Sequence, residues 1–510
     1  MFVRKKRNKS GSTSVQVIDT SGHQDKLVKT IGSGSAALEL DELCKQGQAY
    51  IDQYQGQQQL ALGYGQDQRF FRDLSQGLQQ IQMVGPELIL GKLFDEIGFN
   101  QVPDRIFRHL VLSRLVFPLS KLKTTEYLLR YHQVEVEISQ VYRYLDKLAY
   151  AQKELVQRIS YEHTLKVLGG KLSVVFYDVT TLYFEASDED DLRKAGFSKD
   201  GKHSHPQIVL GLLVSLQGYP LAFDIFQGNK FEGHTMLPVV EAFKEKFHLE
   251  QLLIIADAGL LSNSNMELLL EKKYEFILGG RVKNEPNKIK ELILAQQFLD
   301  GQSIVLQRDT HTRLIVNYAA GRAKKDVSNR IRGMNKLEKA MASGKLNKAH
   351  INNRGYNKYL RLEGEVHVSI DYEKFRQDAR WDGLKGYITN SPLPKESIIE
   401  NYRHLWQIEK AFRISKTDLR IRPIYHRLPG RIAAHIIIAF AAYKLYKELE
   451  RQLKQTKSYL SVEKAIEVMK SIYRIKVKLP ESKQEKTILF APDPAQKHLL
   501  AIFKVQMISD

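Results

Sequence analysis

Three acidic residues lie where a carboxylate is costly unless something compensates it. Asp178 follows the apolar run Val174–Tyr177 and precedes Val179-Thr180-Thr181. Asp257 follows Ile254-Ile255-Ala256 and precedes Ala258-Gly259, where the backbone can turn. A carboxylate within such runs loses hydration, and a bound cation is one compensation. Taken singly, each aspartate reads equally well as a capping or turn residue. Glu409 lies in ENYRHLWQIEKAFRISKTDLRIRPIYH, seven residues after Tyr402 and seven before Lys416. Seven residues are nearly two helical turns, so the three align on one helix face, with Arg413 close to it. Leu405, Ile408 and Phe412 form an apolar stripe that docks this helix. Alone, the segment also reads as a surface helix with an i,i+4 Glu–Arg pair. Together, three carboxylates offer hard oxygen ligands for two divalent cations held about 3.5–4 Å apart. That arrangement activates an attacking hydroxyl and stabilises the leaving oxygen of a phosphodiester. Lys416, Arg413 and Arg403 can neutralise a nucleic-acid strand, and Tyr402 can hydrogen-bond a phosphate or stack on a base.

The elements that position these residues follow from hydrophobic period. SVVFYDVTTLYFEA, HPQIVLGLLVSLQGYPLAFDIFQGN, LLIIADAG and YEFILGG read as strands, the second segment turning at Gln217-Gly218. A helix opened by His234-Thr235 runs through Phe247, and Ser262 or Asn263 caps another. This order predicts a mixed α/β sheet, with the aspartates at the carboxyl ends of adjacent central strands. One helix is predicted over Lys395–Lys416 and a second, apolar one over Arg431–Leu453.

Upstream, residues 12–31 predict two strands around Ser21-Gly22, and Gln46–Gln66 is Gln/Gly-rich. From Leu88 to Leu168 the apolar spacing is helical. Within it, helices capped by Ser120 and Ser139 form either a helix-turn-helix presenting Gln140, Arg143 and Tyr144 to DNA or a plain packing pair. Residues 300–380 read as a β-rich insertion with the strands IVLQRD, TRLIVNYAA and EVHVSIDY. Arg322 to Arg361 carries twelve basic residues against Asp326 and Glu338, a local balance of +10. A segment so lopsided in sign favours phosphate contacts over a solvated face.

Bulk properties fit a soluble globular protein with a polyanionic partner, either nucleic acid or an anionic membrane surface. The 510 residues carry a net charge of +19, with a pI near 9.5, which favours a polyanionic partner. The single cysteine, Cys44, excludes an internal disulfide framework and a cysteine zinc site, so a reducing cytosol is expected. The basic N-terminus is followed by no apolar signal region, and Ile432–Tyr443 is too short to cross a bilayer.

With VVFYDVTTLYFE, LIIADAGLLS and NYRHLWQIEKAFRISK in view, the chain resembles insertion-sequence transposases of the DDE type. It is similar to the branch with a β-rich insertion and a tyrosine–arginine–glutamate–lysine signature, over about Leu172–Tyr446. The signature's arginine, three beyond the tyrosine, falls on Leu405, which leaves Arg403 and Arg413 as candidates for its role. The resemblance implies a ribonuclease-H-like mixed sheet flanked by helices, with a β-rich basic insertion and a mainly helical N-terminal domain. It implies Asp178, Asp257 and Glu409 as catalytic metal ligands for two Mg²⁺ ions, with Mn²⁺ able to substitute. Partners implied are double-stranded DNA, as terminal inverted repeats and target, and a second copy forming a dimer on DNA, with no membrane. A prokaryotic, nucleoid-associated cytoplasmic location follows. Five segments are expected: residues 1–85, a β-hairpin and Gln/Gly-rich segment; 86–170, helical, with DNA binding as one of its two readings; 171–299 with 381–450, catalytic; 300–380, the insertion; and 451–510, helical and basic.

Other readings are an inactive DNA-binding remnant and a ribonuclease-H-like nuclease without strand transfer. A haloacid-dehalogenase-type phosphatase needs a second acid two residues after Asp178, where Thr180 stands. His203, His205 and His234 lack a strong ligand spacing.

Overall fold

The structure is a computed structural model that describes residues 1–22, 24–54, 77–198, 201, 204–260, 262–352, 355–363, 367–479, 482–490 and 492–505. The chain divides into two compact units, one of residues 1–80 and 475–488, the other of residues 81–474 and 489–509.

In the first unit, β1 (Phe2–Arg7), β2 (Thr13–Asp19) and β3 (Lys26–Gly34) form an antiparallel sheet in that order. The expected hairpin is β2–β3. The added strand is FVRKKR, whose charge hides its β character but suits an edge, where lysines deter further pairing. A helix, Ala37–Tyr54, follows. The Gln/Gly-rich stretch beyond it, from residue 55, lies outside the described residues. A further strand, β4, spans Leu78–Met83.

The second unit is built on one eight-stranded sheet. Its strands are β5 (Val174–Tyr183), β6 (Gln207–Ser215), β7 (Pro220–Gln227), β8 (Leu253–Ala256), β9 (Glu275–Gly280), β10 (Ser303–Gln307), β11 (Arg313–Tyr318) and β14 (Leu384–Thr389). The spatial order is β10-β11-β14-β9-β8-β5-β6-β7. β5, β6 and β7 are antiparallel, while β8 runs parallel to both β5 and β9. Three meandering strands followed by two parallel ones are the ribonuclease-H-like arrangement. Gly218, at φ +82°, makes the β6–β7 turn where Gln217-Gly218 predicts it.

Period-two alternation gives the sheet two apolar faces. Val175, Tyr177, Val179, Ile254 and Ala256 pack on one side with Met236, Val240 and Leu269 from the helices Met236–Lys246 and Asn263–Glu271. Phe176, Leu182, Ile255 and Ile277 pack on the other with Ile408, Phe412 and the long helix Pro429–Gln455. That helix is apolar nearly all round, so it must be covered on both sides. The helices Arg105–Val116, Ile138–Lys147 and Lys153–Val167 supply the second cover and join the same core. Residues 86–170 therefore pack into the sheet's own unit instead of standing as a separate domain. The helix-turn-helix reading also changes. Ser120 caps its helix through Lys123 N, but the second helix is capped by Glu137 in a capping box with Gln140, not by Ser139. Tyr144 is buried with its hydroxyl on Gln152 Oε1 at 2.8 Å, so it cannot face DNA.

The insertion starts later than its sequence suggests. β10 and β11 pair onto β14 and widen the central sheet, because their apolar residues Leu314, Ile315 and Val316 continue its two faces. What leaves the sheet is the helix Ala320–Ala342, the hairpin β12 (Leu360–Glu363) with β13 (His367–Ile370), and the helix Tyr372–Ala379. It has its own small core of Met334, Leu337, Tyr359, Leu360, Val368 and Ile370. Its neck is closed where Tyr318 pairs with Leu384 and Ala319 N donates to Gly383 O at 3.1 Å. The tail region holds the helices Val462–Lys470 and Pro494–Ile502, and also two strands, β15 (Tyr473–Lys478) and β16 (Glu485–Leu489). No helix among the described residues is long and apolar enough to cross a membrane.

Candidate active site

β5 and β8 run parallel in register, with Tyr177 beside Ala256. Asp178 and Asp257 are the residues that immediately follow this last pair, Asp178 within β5 and Asp257 just past the end of β8. Alternation turns Asp178 to the face of Phe176 and Leu182, the face that receives the helices after β14. Asp178 accepts from Val179 N at 2.8 Å. Asp257, just past the end of β8, is solvent-exposed.

Tyr402 is buried near the end of the helix Lys395–Arg403 and donates its hydroxyl to Asp257 Oδ1 at 3.3 Å. Burial, then the Asp257 charge, holds its phenol well above the usual tyrosine range, so it stays a donor. Its ring packs edge-on to Tyr387 at 4.9 Å. It reaches Asp257 because Gly279 leaves room: a Cβ there would sit 2.5 Å from the Tyr402 hydroxyl and 2.8 Å from Ala258 N.

Glu409 is exposed on the helix Trp406–Thr417, which docks Ile408, Ala411 and Phe412 into the sheet core. The single helix expected over Lys395–Lys416 is two helices. Leu405 N donates to Tyr402 O and Ile408 N to Leu405 O, so the chain tightens for one turn at His404–Leu405. Tyr402 and Glu409 thus sit on successive helices and not on one face, whereas Glu409 and Lys416 do share a helix face. Lys416 is half-buried, and Arg413 is exposed one turn beyond Glu409. Arg403 is exposed too, and its guanidinium lies 3.3 Å from Glu400.

One cation that the sequence does not single out, Lys385, joins this group. The Lys385 ammonium, on β14, lies 4.4 Å above the Tyr402 ring. Burial, then Arg322, lowers its pKa, while Asp257 and Glu409 pull it back up. Lys385 and Tyr402 each feel both Asp257 and Glu409, which brings the second and third acids to one locality. The signal in the sequence was a lysine inside an otherwise apolar strand, LKGYIT.

Among the described residues no group of three or more His, Cys, Asp or Glu side chains is close enough to hold a metal ion as it stands. The donor chemistry nevertheless fits, since hard carboxylate oxygens suit Mg²⁺, which keeps waters and substrate phosphates in its remaining positions. A two-ion centre therefore does not need three protein ligands on either ion. Of the histidines, His203 lies outside the described residues, His205 contacts Ser204 Oγ at 3.3 Å, and His234 packs on Phe231.

The family described as "Transposase DDE domain" matches residues 169–445. No curated protein matches the chain. Among solved structures, the cryo-EM structure of a piggyBac transposase synaptic complex with hairpin DNA is similar, at a TM-score of 0.39 and 9% identity, over 76% of this chain and 76% of that one.

Proposed function

This chain belongs to the transposase DDE-domain family, and on that premise we propose that it transposes an insertion sequence, binding the terminal inverted repeats, cutting at the element ends and joining the 3′-hydroxyls to target DNA. Asp178, Asp257 and Glu409 hold the divalent ions. When bound, Mg²⁺ or Mn²⁺ supplies Lewis-acid polarisation of the phosphodiester and a nucleophile at neutral pH. Tyr402 orients Asp257 through its hydroxyl, as an outer partner fixes a ligating carboxylate. Lys416, Arg413 and Arg403 contact the DNA strand, and Lys385 adds a half-buried cation beside it. The observation that supports this reading is the pairing of Tyr177 with Ala256, the residues just before Asp178 and Asp257, together with the Tyr402 hydroxyl on Asp257 and the packing of Ile408 and Phe412 from the Glu409 helix on the Phe176 face of the sheet. Synapsis of two ends makes the working form a dimer on DNA, at the nucleoid of a prokaryotic cell.

The test is cleavage and joining of a duplex carrying the flanking inverted repeats, with purified full-length protein and Mg²⁺ or Mn²⁺. Asp178→Asn, Asp257→Asn and Glu409→Gln each abolish cleavage and keep DNA binding. Cleavage at the wild-type rate in any one of them removes that residue from the site. Cleavage without joined product favours the nuclease reading, and binding with no cleavage favours the inactive remnant.

A further inference from the structure

A second basic site is lined by none of the three carboxylates. The helix Arg105–Val116, the helix Lys121–Tyr127 and the segment after the Glu409 helix enclose a cavity of about 480 Å³. Arg114, Lys121, Tyr142, Arg420, His426 and His435 line it. Arg114 is only 7% exposed and Lys121 only 6%. The Arg114 guanidinium has one long hydrogen bond, 3.4 Å to Leu419 O. Neither cation ion-pairs with a carboxylate among the described residues. The nearby acid, Asp146, is taken by Arg431, which donates to both its oxygens at 2.9 and 3.0 Å. His435 is buried, with Nε2 2.9 Å from Ile421 O and Nδ1 without a hydrogen-bond partner. Arg420, at the rim, is held at φ +45°, a conformation few side chains adopt without a reason.

Two buried cations with no counter-charge are costly, and a fold keeps them only where something repays the desolvation. Burial pulls Arg114 down to about 10 and Lys121 well below its ordinary value, the direction expected when no anion is present. We infer that this cavity is an anion site for a phosphate group, held by Arg114 and Lys121 with Arg420 at the mouth. The phosphate comes either from the backbone of bound DNA or from free inorganic phosphate, and the two have the same chemistry at this site.

Thermal unfolding of the full chain is measured with inorganic phosphate against chloride at equal ionic strength. In parallel, duplex affinity is measured across a salt series. With free phosphate as ligand, the wild-type protein is stabilised, and Lys121→Met abolishes the shift while melting higher than wild type in chloride. With DNA as ligand, phosphate gives no shift, but Lys121→Met and Arg420→Ala each weaken duplex binding roughly tenfold and flatten the salt slope by about one. Arg420→Ala, on an exposed residue, keeps the test decisive if Lys121→Met misfolds. The inference is overturned if phosphate gives no shift and Arg420→Ala binds duplex with the wild-type slope, or if a phosphate shift survives in Lys121→Met.

Discussion

Gly279→Ala tests how Tyr402 reaches the acids. The added Cβ would lie 2.5 Å from the Tyr402 hydroxyl, 2.8 Å from Ala258 N and 3.1 Å from Ala258 Cβ. Atoms that close must move, and inserting a methyl group into a packed site costs about 1–3 kcal/mol. Part of that strain is relieved by pushing Tyr402 away, which breaks its hydrogen bond to Asp257, worth about 1 kcal/mol or somewhat more for a charged acceptor. Stability to urea therefore falls by about 2 kcal/mol, and cleavage slows roughly five- to tenfold. The double variant separates the two contacts. In a Tyr402→Phe background the hydroxyl is gone and only the Ala258 contacts remain. Gly279→Ala should then cost about 1 kcal/mol less than in wild type, a coupling measurable by a double-mutant cycle. Strict additivity, or full activity in Gly279→Ala alone, would refute the role of this glycine in seating Tyr402.

Lys385→Met removes a half-buried cation whose charge is disfavoured in the fold, so the variant melts no lower than wild type but cleaves roughly tenfold slower; an unchanged rate separates Lys385 from the site. Neutralising Lys324, Arg332, Lys336 and Lys339, which line one groove on the insertion helix, flattens the salt slope of DNA binding by up to about four. Arg330 and Lys358 are engaged by Asp382 and Asp378, so their loss is read in melting temperature instead of in that slope. Burial, then Lys444, holds His163 down to about 4, below its ordinary 6.5. The unfolded chain takes a proton there that the folded chain refuses, so stability is full above pH 6.5 and falls as pH drops towards 4. The whole loss is at most about 3 kcal/mol. His163→Gln flattens that limb of the pH–stability curve, and an unaltered limb would assign it to other groups.

The large sheet was legible because its strands are apolar runs bounded by turns. Asp257 follows the end of β8 as expected, whereas Asp178, expected at a strand end, lies in the middle of β5, which runs on through Val179–Tyr183 because those residues also pair with β6. The Glu409 helix was legible from Leu405, Ile408 and Phe412, but its break at His404–Leu405 was not. No proline or glycine marks it, and both residues keep right-handed helical angles. β10 and β11 were seen as strands but assigned to the insertion, since pairing with β14 is a long-range fact that no local pattern carries. The basic insertion was counted as one charge field. The structure divides it, pairing Arg330, Lys358 and Arg361 with Asp382, Asp378 and Glu363 while Lys324, Arg332, Lys336 and Lys339 stay exposed. Lys385 was missed because one lysine in a strand has no periodicity to announce it.

The closed neck of the insertion bears on how this protein can change. Its two ends, Tyr318 and Leu384, are cross-strand partners, so the chain leaves the sheet and returns at the same rung. The rungs on the sheet side of that exit, from Arg313 paired with Thr389 inward, do not depend on what hangs beyond it. The entropy of closing a loop grows only slowly with its length. Segments of very different size can therefore be grafted at this point, or trimmed from it, while the β11–β14 pairing is kept. The most basic part of the chain thus hangs from a single rung of the sheet, and under the proposed function its contacts with DNA are the ones that such grafts would alter first.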